Sequence, residues 1–218
     1  MIQIPQNGRT EDERLSDFLL LLYMIGTHHR QSRRYLGITK ADKFVFLAEK
    51  RMIDNCVQGF DYDFYRWNFG PLSPSIYADI ETLQKTSMVT RGANIQLTER
   101  GRKTLEDCGS LFEANQVVVA CIDEVVRRFA TKTTEQVASH VYEVEIEYPM
   151  GSKKIRDIPR GWELLKKLPV QKATRRFDIP ESWKETLELL LDIEYADRLD
   201  KTLTQPSAAG AHPFGGAD

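Results

Sequence analysis

The residues able to do chemistry are few and scattered. His28, His29, His140 and His212 are the four histidines, and none stands in an HExxH pattern or at a spacing that sets two metal ligands on one helical face. A metal centre is therefore not expected. No GxSxG, P-loop or GxGxxG stretch supplies a nucleophile elbow, a phosphate cradle or a dinucleotide turn. Cys56, Cys108 and Cys121 are odd in number and show no CxxC spacing, so they read as free, inert thiols of a reducing compartment. The expectation is a chain with no catalytic residue, no metal and no cofactor.

Two other groupings carry binding chemistry. The first is aromatic: Tyr62, Phe64, Tyr65, Trp67, Phe69 and Tyr77 gather around Gly70-Pro71. Rings with a polar tip bury much area at small entropic cost and suit a surface that meets another chain. The same rings can fill a core between helices, and the sequence leaves both readings open. The second grouping is cationic, at Arg30, Arg33 and Arg34, at Arg100, Arg102 and Lys103, and along 153–176. Lys and Arg are the residues that contact phosphate, so Arg30, Arg33, Arg34, Arg100 and Arg102 are candidates for nucleic acid; as solvated faces they would do nothing special. The helix placed to enter a DNA groove, however, carries Asp79 and Glu81 against Lys85 and would repel the backbone.

The elements that position these groups are mostly helical. Leu15, Phe18, Leu19, Leu22 and Ile25 stripe a helix over about 11–29, with Leu20, Leu21 and Met24 on its other face, so it should be buried on most sides. Thr39 with Asp42 resembles a capping box opening a helix to about Cys56. Alternation over 60–67 suggests a short strand, ended by Gly70-Pro71. Ser73 before Pro74 starts a helix to about Lys85. Segments 88–90 and 95–97 flank Gly92 and Asn94 as a small hairpin, and Thr98 caps the next helix. Further on, Val118, Ile122, Val125, Val126 and Phe129 stripe one helix, Thr133 with Gln136 caps another, and a last helix begins near 178–180 with Trp183, Leu187, Leu190, Leu191 and Tyr195 in register. The expected fold class is mainly α with a small β-hairpin (α+β), a winged-helix-like helical core with additional C-terminal helices.

Length and charge bound the rest. The 218 residues carry 30 Lys plus Arg against 32 Asp plus Glu, a formal net charge of −2 that argues against a chain coated throughout for nucleic acid or anionic lipid. The longest apolar run, Phe18 to Ile25, is far short of the roughly 20 residues of a membrane span. Residues 1–13 lack a cationic, apolar signal sequence, so the expected location is cytoplasmic. The expected organisation is a core at 1–109, a helical part at 110–203 packed on it, and a tail at 204–218 rich in Gly, Ala, Pro and Ser that reads as disordered.

Lys43-Phe-Val-Phe-Leu-Ala48, then Phe64-Tyr-Arg-Trp-Asn-Phe-Gly-Pro71 and Ile76-Tyr-Ala-Asp-Ile80, resemble the Panacea domain, the SocA-like antitoxin family that includes phage-associated proteins. The resemblance covers residues 38–105, with weaker similarity around 133–162, and Gly-Pro after an aromatic is a moderately specific element of it, less so than a metal motif. It implies a small, mostly helical, non-enzymatic protein that neutralises a toxin by direct contact or delivers it to a protease. The family's motif falls here on Trp67, Asn68, Gly70, Pro71 and Tyr77. With Tyr62 and Tyr65 from the aromatic cluster, these form the expected partner-binding set. The hairpin and Leu97-Thr98-Glu99-Arg100-Gly101 depart from the family toward a regulator, which keeps a winged-helix DNA-binding protein as the alternative.

Overall fold

The computed structural model describes residues 8–32, 34–90, 92–149 and 151–192. Helix α1, Glu11–Gln31, starts in a capping box: the Glu13 amide donates to Thr10 Oγ1 and the Thr10 amide to Glu13 Oε2. Leu15 through Leu22, Met24 and Ile25 are all buried, as a helix apolar on nearly every face requires. Helix α2, Ile38–Asp54, packs with α6, Gln116–Phe129, and α7, Thr134–Tyr142, while α1 lies against α6, against α4, Glu99–Asp107, and against α8, Glu181–Leu191. Buried side chains from both sides of residue 109 form one core, with Phe44, Phe46, Ile122, Val126 and Val141 inside it. The fold is mainly α with a few short strands.

Three local expectations change. Helix α2 begins one residue after Gly37, which caps it without a side-chain bond, so Thr39 and Asp42 form no capping box. Asp42 is instead fully buried and held by tertiary partners. The strand expected over 60–67 shrinks to β2, Tyr65–Trp67, because Phe60, Tyr62 and Phe64 are drawn into the core from extended chain. Strand β2 pairs antiparallel with β3, Gly70–Leu72, in the register Tyr65↔Leu72 and Trp67↔Gly70. Its other edge is covered by 161–164: the Arg66 amide donates to the Trp162 carbonyl at 2.7 Å and the Leu164 amide to the Phe64 carbonyl at 2.8 Å. The wing-like hairpin narrows to one bridge, Val89↔Leu97, followed by α4 with Thr98 as its cap. Gly101 is required there, since a Cβ would sit 2.1 Å from the Met88 carbonyl oxygen.

Helix α3, Pro74–Lys85, starts where Ser73-Pro74 places it. The α7 capping box of Thr133 and Gln136 is present, and α5, Gly109–Ala114, links α4 to α6. Unexpected from the sequence is a second hairpin of β4, Glu145–Tyr148, and β5, Gly151–Lys154, paired from Glu145↔Lys154 to Tyr148↔Gly151. A short parallel pair, β1 at Val57–Gln58 and β6 at Arg175–Arg176, ties the basic segment back to the end of α2. The expected tail at 204–218, Tyr195 and Arg33 lie outside the described residues.

Candidate aromatic surface

The Gly-Pro turn is fixed from beneath by α2. Lys43, buried beside Asp42, donates to Asp42 Oδ2 at 2.8 Å and to the Pro71 carbonyl, while Asp42 Oδ1 accepts the Ser73 amide at 3.1 Å. One buried ion pair thus grips the chain as it leaves the turn and satisfies an otherwise free amide at the start of α3. Burial pushes the Asp42 carboxyl up to about 6 although Lys43 pulls the other way. Gly70 takes φ +95°, a left-handed conformation natural only to glycine. Gly70 and Pro71 are both buried, so they are builders of the turn and not contact residues.

Tyr62 is also inside, at 1% exposure, a correction to its place in the expected contact set. Its hydroxyl donates to Asp79 Oδ2 at 2.7 Å. Arg9 spans Asp79 and the fully buried Asp17 at 2.6 Å each and lies 4.9 Å from the Tyr62 ring centroid. Asp17 in turn accepts the Asp61 amide at 2.8 Å. Burial dominates here: Asp17 is held well above the ordinary carboxylate range, with Arg9 the main opposing influence. Tyr65 is buried as well, because β2 turns it inward while Arg66 lies against the Tyr142 ring and the Ile155 carbonyl.

What remains exposed lies at the β2–β3 tip. Phe69 is 72% exposed, Asn68 is exposed and Trp67 half-buried. The tip is braced from the side: Tyr142 Oη donates to the Asn68 carbonyl at 2.7 Å, and the Arg66 guanidinium stacks 5.0 Å from the Tyr142 ring while bonding the Trp67 and Ile155 carbonyls. Beside it Trp162, 46% exposed, packs on Tyr148 at 5.3 Å between centroids, and Lys153 lies 4.3 Å from the other ring of that pair. The surface therefore joins Trp67 and Phe69 to Tyr148 and Trp162 through Arg66 and its backbone bond to Trp162. Sequence reading missed Tyr148 and Trp162 as members. The usable signal was Glu145, Ile146, Glu147 and Tyr148 alternating up to a Pro-containing turn with Gly151.

Tyr77 sits apart, half-buried on a groove of about 660 Å³ shared with Tyr35 and Ile95. The candidate phosphate contacts are mostly engaged elsewhere. Arg30 donates to Thr27 and faces the Tyr23 ring, Arg102 pairs with Glu99 at 2.6 Å, and Arg100 turns inward to the Leu190 carbonyl of α8. Arg34 is exposed near His28 and His29. Inside that region Lys40 donates to the Ala130 carbonyl at 2.9 Å and stands 3.4 Å from His28 Nε2. Burial, then the neighbouring Lys40 charge, lowers the His28 pKa to about 4, so its imidazole is neutral. Among the described residues no cluster of three or more His, Cys, Asp or Glu is arranged to hold a metal ion, and no helix is long and apolar enough to cross a membrane. No family model, no curated protein and no solved structure matches the chain.

Proposed function

We propose that this chain is a non-enzymatic, cytoplasmic protein-binding module of the kind its Panacea resemblance implies, an antitoxin that neutralises or delivers a protein partner by direct contact. The observation that carries the reading is Phe69, an exposed ring on a tip fixed by the Lys43 clamp and the Tyr142 bond. A tip whose backbone is held in place before binding loses little freedom on docking, and exposed rings are common anchors of protein interfaces. Two of the strongly shifted acids, Asp17 and Asp42, each bind neighbouring elements together, a structural employment. DNA reading is disfavoured by the inward or paired state of Arg30, Arg100 and Arg102 and by Asp79 and Glu81 on α3.

The test is co-expression of the tagged chain with the products of its neighbouring reading frames. Wild type should retain a protein partner that Phe69→Ala/Trp162→Ala loses, with its melting curve unchanged. Equal retention by the folded variant would remove this surface as the interface.

A further inference from the structure

A second charged feature lies beside the aromatic surface. Segment 153–176 holds nine Lys and Arg residues against Asp157 and Glu163, in a chain whose formal net charge is −2. Part of this charge is neutralised internally: Lys154 and Arg156 reach Glu143, and Lys167 reaches Asp63 at 3.5 Å. The ammonium groups of Lys166 and Lys172 are exposed and make no ion pair or hydrogen bond among the described residues.

Between this segment and the C-terminal end of α2 opens a cleft of about 540 Å³. Its walls are aliphatic, with Ile53, Ile146, Leu164 and Leu165, and its rim carries Lys50, Lys166, Lys167 and Lys172. Lys50 is taken by Asp54 at 2.7 Å. An apolar floor under free ammonium groups suits an aliphatic chain that also bears carboxylates. A nucleic acid strand fits poorly, because the lining offers no ring on which a base would stack. Two chain segments run from the cleft to the aromatic surface. Strand β4 gives Ile146 and Glu147 to the cleft and Tyr148 to the ring pair, and Trp162 lies two residues before Leu164.

We infer that this cleft receives an acidic, apolar-anchored segment of the protein partner, an assignment that rests on the protein-binding reading above. The experiment titrates the full chain into three fluorescent probes: a short peptide of alternating Leu and Glu, its Leu and Lys counterpart, and single-stranded oligo-dT of similar length. The Leu/Glu peptide should bind saturably, weaken with added salt, and lose about tenfold in affinity with Lys166→Glu/Lys172→Glu. Absence of saturable binding, equal binding of either other probe, or undiminished affinity in the lysine variant would overturn the assignment. The peptide reports on the cleft alone, so its failure is distinguishable from failure of partner capture through the rings.

Discussion

Replacing Arg9 by Ala tests how the aromatic segment is anchored. The guanidinium makes contacts of 2.6 Å to Asp17 and of 2.6 and 3.0 Å to Asp79. The two carboxylates are 0% and 5% exposed, and Asp79 also receives the Tyr62 hydroxyl. Removing one partner of a buried ion pair costs roughly 3–5 kcal/mol, because the other charge is stranded out of water. The folded-state pKa of Asp17 already lies above its unfolded value, so the folded chain binds protons more readily there and loses stability as pH rises. Loss of Arg9 raises that pKa further and makes the penalty pH-dependent. Urea unfolding followed by circular dichroism should give a deficit of about 3 kcal/mol or more at pH 8 and a clearly smaller one at pH 5. Adding Asp17→Asn and Asp79→Asn should recover part of the loss. A deficit below about 1 kcal/mol, or one that does not change with pH, would refute the anchoring argument.

Two further perturbations address neighbouring devices. Lys43→Met leaves Asp42 buried and unpaired, so it should cost roughly 3 kcal/mol at pH 8 and less below pH 6, where the Asp42 carboxyl takes a proton; paired denaturation curves would show it. His28, with its folded pKa about 4 against 6.5 unfolded, contributes stability that is present above pH 6.5 and lost as pH falls toward 4. The difference in stability between wild type and His28→Gln should therefore shrink across that window, and a flat difference would contradict the assignment of a neutral imidazole.

Much of the helical frame was legible because its signals are local. Pro74, Thr98 and the Thr133/Gln136 box each act within one turn, and each marks a real helix start, although Ser73 Oγ makes no capping bond. Thr39 and Asp42 show the same spacing as a box and fail because Asp42 is claimed by Lys43 and by Ser73, 31 positions along the chain. Asp17 looked like an unremarked residue in an apolar helix, and its partner Arg9 reaches Asp79 across 70 positions, a relation that no local pattern encodes. The aromatic cluster divides for a similar reason. Their gathering around Gly70-Pro71 identified rings at 62, 64, 65, 67 and 69, but the cover supplied by 161–164 and by Arg9 decided that Tyr62 and Tyr65 go inside and Phe69 stays out. The β4–β5 hairpin was legible in principle, yet its charged exposed face masked a strand whose one buried residue is Ile146.

The central claim is that the rings around Phe69 and Trp162 form the docking surface for a protein partner. Amide hydrogen exchange on the partner-bound chain tests it most directly. Slowed exchange at 66–70 and 160–163, relative to the free chain, is the expected result. Protection confined to 30–36 and to α4, with 66–70 unchanged, would contradict it.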